Sequence, residues 1–145
     1  CHGIGNLMVA AGGGQILNVA SLTAFQPGPW LSSHCASAAY VLHLSESLRE
    51  EFKDYGVKVS VLCPGPVPTA FFRLTGLDEQ RLRHSRLLLS PEEVALHAVR
   101  ALDRDRALII PGWRNRLVAS LHRLLPRALV RWTVGRLYRS LLSRR

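Results

Sequence analysis

Apolar positions along the chain fall into short blocks whose period alternates between strand-like and helical. Residues up to about Ala11 read as the end of a helix, broken by Gly12, Gly13 and Gly14, since glycine ends a helix at the least cost. Gln15 to Ala20 (QILNVA) is a short apolar run of strand type. Ser21 to Ser33 holds Pro27, Gly28 and Pro29 and reads as a loop. From about His34 to Tyr55, Val41, Leu44, Leu48 and Phe52 recur at spacings of three and four. That predicts a long helix with one apolar stripe, ended by Gly56. Val57 to Cys63 (VKVSVLC) alternates and is rich in valine, which predicts a buried strand. Pro64, Gly65, Pro66 and Pro68 then force an irregular turn. Ser90-Pro91-Glu92-Glu93 is a helix start, with a capping serine, a proline at the first position and a glutamate placed for a capping box. That helix runs to about Asp103. Ala107 to Ile110 is a third short strand, closed by Pro111 and Gly112. Two basic amphipathic helices follow and meet near Pro126. Val118, Leu121 and Leu125 line the first, and Val130, Val134, Leu137 and Leu141 line the second.

The order strand, helix, strand, helix, strand implies right-handed crossovers and a parallel sheet, hence an α/β fold. In such sheets ligands bind beyond the carboxyl ends of the strands. Ser21 and the Pro64–Thr69 turn both follow strand ends, so they are expected on one rim. The length suits one domain at most, and is short for a complete two-halved dinucleotide-binding fold. The expected organisation is a sheet domain over residues 1–112 and a basic helical tail over 113–145.

Composition adds little until the charge is located. At 48% hydrophobic and 20% charged residues, disorder is excluded. From Cys1 through Gly112 the acids and the Lys and Arg residues cancel, so the whole net charge of +9 sits in the tail. Such a tail, carrying Trp113 and Trp132, suits a membrane surface. The competing reading has it pack on the domain or on a sister subunit and show its arginines to water. No motif for nucleic acid accompanies the charge. Cys1, Cys35 and Cys63 are odd in number and widely spaced, and His2, His43, His84, His97 and His122 show no ligand spacing. Neither a disulfide framework nor a metal site is expected, and a reducing, cytoplasmic setting, peripheral to a membrane at most, is. No run approaches the ~18 apolar residues of a membrane span. The first residue is Cys1, and the N-terminus is expected to be cut.

Asn18-Val19-Ala20-Ser21, the loop to Pro29, Ala36-Ser37-Ala38-Ala39-Tyr40 and Pro64-Gly65-Pro66-Val67-Pro68-Thr69 occur in an order and spacing that resembles the C-terminal half of short-chain dehydrogenase/reductases. The resemblance spans about Gly14 to Gly112. It implies a Rossmann-like doubly wound parallel sheet, an NAD(P) cofactor, a small carbonyl or alcohol substrate and a homo-oligomer. By the same resemblance Ser21 orients the substrate. The Val67 backbone and Thr69 would meet the nicotinamide carboxamide, and Pro64 and Gly65 would shape the turn. The phosphate-binding glycine loop of the family would lie upstream.

The family's proton donor is a tyrosine with a lysine four residues later. A phenol has a pKa of about 10, and a cation one helical turn away lowers it. Those two positions are His34 and Ala38. No YxxxK occurs: Tyr40, Tyr55 and Tyr138 are followed at that spacing by Leu44, Val59 and Leu142, and the lysines are Lys53 and Lys58. An imidazole, with a pKa of about 6.5, can act as acid or base in its own right, whereas Ala38 can do neither. The expectation is therefore an N-terminally truncated, catalytically impaired oxidoreductase with a degenerate active site. The alternative is a non-catalytic relative that serves as a partner subunit or a membrane-surface module.

Overall fold

A computed structural model of the chain describes residues 1–122 and 124–142. Arg123, Arg144 and Arg145 of the basic tail lie outside the described residues. The elements run α1 (His2–Ala10), β1 (Gly14–Val19), a 3-10 turn (Leu22–Phe25), α2 (Ser32–Phe52), β2 (Val57–Leu62), α3 (Ala70–Thr75), α4 (Glu79–Arg83), α5 (Pro91–Asp103), β3 (Leu108–Ile109), α6 (Trp113–Leu121) and α7 (Arg127–Leu141). The three strands form one parallel sheet in the order β1-β2-β3. Gly14 pairs with Val57 and Val19 with Leu62, and Val61 pairs with Leu108. The α/β architecture and its parallel sheet are those the hydrophobic periods imply.

β2 lies at the centre, and all of it is buried except Lys58. It is less an alternating strand than a fully buried one, because both faces of the sheet are covered. On one side Val57 and Val59 pack with Leu48, Phe52 and Met8, from α2 and α1. On the other, Leu62 and Ile109 pack with Val94 and Ala98 of α5. Gly56, at φ 71°, makes the left-handed turn between α2 and β2 that glycine adopts without strain. Asn18 of the NVAS segment ties β1 to α2, its Nδ2 donating to Ser45 Oγ over 2.9 Å. The α5 start has the capping box its sequence predicts. Glu93 N donates to Ser90 Oγ over 3.1 Å, and Ser90 N donates to Glu93 Oε2 over 2.8 Å.

Several expected faces are corrected. The inward residues of α2 are Cys35, Ala38, Leu42, Ser45, Leu48 and Phe52. Val41 and Leu44 lie at the border, and Leu42 takes the central place. In α6 the buried residues are Asn115 and Ala119, whereas Leu121 is exposed. In α7 Tyr138 is buried with Val130 and Val134, and Leu137 faces solvent. The described part of the tail is docked. Val130, Val134 and Tyr138 share a core with Leu31 and Cys35 at the start of α2 and with Phe72, Leu77 and Leu82. Asp78 N donates to Leu141 O over 2.8 Å, which fastens the α3–α4 link to the end of α7.

Candidate functional site

The carboxyl ends of β1 and β2 are joined by main-chain hydrogen bonds. Ala20 N donates to Leu62 O, and Leu22 N donates to Pro64 O, both over 2.8 Å. Ser21 therefore lies beside the first residue of the proline-rich turn, on the rim where ligands of parallel sheets bind. Ser21 is half-buried and caps the 3-10 turn, its Oγ accepting from Thr23 N over 3.2 Å. One lone pair and the hydroxyl proton are left for a ligand.

His34 stands in the first turn of α2, half-buried, with its ring against Phe71 at a centroid distance of 4.8 Å. Burial holds its pKa below the ordinary value of 6.5, so the imidazole is neutral at neutral pH. Ala38 lies one turn on, 4% exposed, in a core with Ala24, Leu42, Val61 and Cys63. The lysine position is thus closed and apolar. Both lysines are engaged elsewhere: Lys53 Nζ is 3.8 Å from Glu50, and Lys58 Nζ is 3.9 Å from Asp105. Cys63, fully buried at the end of β2, has its thiol pushed up to about 12, chiefly by burial. Cys35 is raised for the same reason. Neither thiol is a nucleophile at neutral pH.

The carboxamide of Asn115, which no sequence pattern singles out, packs closely against Gly65 of the turn after β2. Asn115 is 1% exposed, and its Nδ2 donates to Pro111 O at 2.9 Å and Leu87 O at 3.2 Å. A Cβ placed on Gly65 would lie 2.6 Å from the Asn115 carboxamide. Glycine is required there by close approach of a buried polar group. Gly65→Ala is accordingly expected to destabilise the chain by about 2 kcal/mol, through displacement of Asn115 from its two carbonyls. Urea denaturation measures it, and a loss within error of zero would show that Asn115 gives way freely. Thr69 is exposed and caps α3, accepting from Phe71 N at 3.4 Å. The backbone amide of Val67 has no hydrogen-bond partner among the described residues. Ser21 and the 64–69 turn thus share one rim, His34 meets Phe71 just beyond that turn, and Ala38 is buried in the core. Phe71, the ring partner of His34, also went unsignalled, because α3 is too short to show a period.

The buried neutral His34 has a stability consequence. Its folded pKa is lowered, so the unfolded chain binds the proton more readily. Its contribution is present in full above the unfolded value of 6.5 and is lost as the pH falls below it. Stability is expected to fall as the pH drops below about 6.5, and His34→Gln is expected to flatten part of that slope. Urea midpoints of both proteins above and below that pH check it.

Comparison with known proteins places the fold in a family. Residues 1–80 match the short chain dehydrogenase family. The chain is 29% identical over 144 residues to the probable oxidoreductase EphD of Mycobacterium tuberculosis, covering 89% of this chain and 24% of that protein. It is 31% identical over 126 residues to hydroxysteroid dehydrogenase-like protein 1 of Gallus gallus, covering 86% and 37%. The solved structure of a short-chain dehydrogenase from Sphingobium yanoikuyae in complex with NADPH superposes with a TM-score of 0.69 at 24% identity, over 85% of this chain and 49% of that one. The chain belongs to the short-chain dehydrogenase family, whose members use NAD(P) and act on small substrates. It spans between 24% and 37% of the length of the two curated relatives.

Proposed function

We propose that this chain is the nicotinamide-side and substrate-side portion of a short-chain NAD(P)-dependent oxidoreductase whose proton-transfer pair has been replaced. The observation that carries this reading is the junction at the carboxyl ends of β1 and β2, where Ala20 N donates to Leu62 O and Leu22 N to Pro64 O, setting Ser21 beside the turn. It sets a hydroxyl that caps Thr23 N and keeps its own proton to donate beside a turn with an unpaired amide at Val67, the donor set a carboxamide and a carbonyl would need. In the family the bound nicotinamide supplies hydride exchange with a carbonyl/alcohol pair. Here Ser21 would orient the carbonyl or alcohol oxygen, and Val67 and Thr69, on the turn Gly65 shapes, would hold the nicotinamide end. The residues fit that end and not the ribose end, since Ala38 has no donor to offer.

His34 is neutral and half-buried, so it can exchange a proton, but no cation stands four residues on to tune it or to hold a ribose. We therefore read the chain as catalytically impaired. The test is NADPH oxidation by the 145-residue chain against a panel of small ketones. No rate above buffer is expected, and a rate that His34→Ala abolishes would show instead that the imidazole replaces the phenol.

A surface role for the tail is supported by the two exposed tryptophans, each with an arginine over its ring: Arg114 on Trp113 at 4.8 Å and Arg136 on Trp132 at 5.0 Å. Such pairs suit an anionic membrane surface. No helix among the described residues is long and apolar enough to cross a membrane.

A further inference from the structure

β3 is an edge strand, and along it runs a groove of about 580 Å³ that includes none of the Ser21, His34 or 64–69 residues. His97 and Arg100 enter it from α5, Arg104 from the C-cap of that helix, Arg106 from the turn before β3, and Arg116 from α6. The i, i+3 spacing puts His97 and Arg100 on one face of α5, and the cap residue Arg104 follows one turn on. Leu108, Ile109 and Ile110 give it an apolar floor.

Among the described residues no acid lines the groove, and the backbone arranges this. α5 ends in a Schellman motif, with Arg106 N donating to Ala101 O at 3.0 Å and Asp105 N to Leu102 O at 2.9 Å. Asp105 occupies its left-handed position, at φ 51°. The two arginines beside Asp105 in sequence line the groove. The Asp105 carboxylate is instead held by Arg49 at 3.0 Å and by Lys58 at 3.9 Å. Arg100, Arg104, Arg106 and Arg116 have no ion-pair partner among the described residues. The negative end of the α5 dipole amounts to about half a charge, far less than four guanidinium groups.

We infer that this groove binds a small phosphate-bearing anion, with the phosphate on the Arg100, Arg104, Arg106 and Arg116 guanidinium groups and the remainder of the ligand along the β3 edge. Guanidinium groups match phosphate oxygens in geometry as well as charge, and the volume is that of a small-molecule site. A free phosphate ester and a phospholipid headgroup share this chemistry.

Calorimetry of the 145-residue chain with inorganic pyrophosphate, and co-sedimentation with phosphatidylcholine vesicles containing phosphatidic acid, test the inference and separate the two sources. Arg104→Ala/Arg106→Ala removes exposed, unpaired side chains. It is expected to weaken binding at least about tenfold, each lost guanidinium–phosphate contact being charge-assisted. Arg100→Ala is a second, single variant expected to weaken it about threefold. Arg73→Ala/Arg86→Ala removes the same charge from exposed positions outside both the groove and the basic tail and is expected to change binding less than about twofold. Selective loss with pyrophosphate identifies a free phosphate ester, and selective loss confined to the vesicles identifies a headgroup. If neither probe binds with a selective dependence on the groove arginines, the inference is wrong.

Discussion

Replacing Ala38 by lysine is expected to lower the stability of the chain by about 3 kcal/mol, the cost of an unpaired ammonium in an apolar site. The position is 4% exposed, in an apolar cluster with Ala24, Leu42, Val61 and Cys63. A lysine there must either displace this packing or stretch past it to the rim. Ala38→Leu, of similar bulk without charge, separates overpacking from charge burial. Urea denaturation of Ala38→Lys, Ala38→Leu and His34→Tyr/Ala38→Lys gives the answer. A lysine variant as stable as the parent would mean that the ammonium reaches water and that the old lysine site is still open. In that case the impairment of the chain would lie in the side chains at 34 and 38 and not in the shape of its core.

Tyr138→Ala is expected to cost about 4 kcal/mol, the range for deleting a large aromatic side chain from a packed core. Tyr138 is 9% exposed, and burial pushes its hydroxyl up to about 12. It packs with Cys35 and Leu31 at the start of the helix that carries His34, and with Phe72, Leu77 and Leu82. Loss of the ring should loosen α7, α3 and α4 together, and with them the Phe71 contact of His34. Thermal unfolding followed in the far ultraviolet measures the cost. Proteolysis within residues 70–89 then reports the local loosening. A loss below about 0.5 kcal/mol, the scale of a surface substitution, would show that α7 is an appendage. The basic tail would then stand free for other contacts.

What the sequence reveals of this fold follows from which residues carry a period. β1, β2 and α2 are legible because their apolar residues recur over a full repeat, and α5 because Ser90, Pro91 and Glu93 mark its start. The buried face of α2 is misjudged by one position. Its inward side is built partly from Cys35, Ala38 and Ser45, small residues that carry little hydrophobic weight, and the eye settles on Val41 and Leu44 instead. α3 and α4 have six and five residues, too few for any period to appear. They are marked only by the caps Thr69 and Asp78 and by Gly76. Asn115 is hidden for the opposite reason: a polar residue on an amphipathic helix points by default to water, and only the tertiary structure shows it against Gly65. The candidate site is legible as a set of motifs, because NVAS ends one strand and PGPVPT follows another. That the lysine position is sealed is not, since burial of Ala38 depends on Ala24 and Val61 from other elements.

The most direct measurement is an amide-resolved NMR titration of the 145-residue chain with nicotinamide riboside, which brings no phosphate to the groove arginines. The account predicts saturable shifts at Ser21, Val67 and Thr69, none at Arg104 or Arg106, and the same response in Ala38→Gly. Shifts confined to other residues, or none at all at the 64–69 turn, would contradict the assignment of this rim to the nicotinamide.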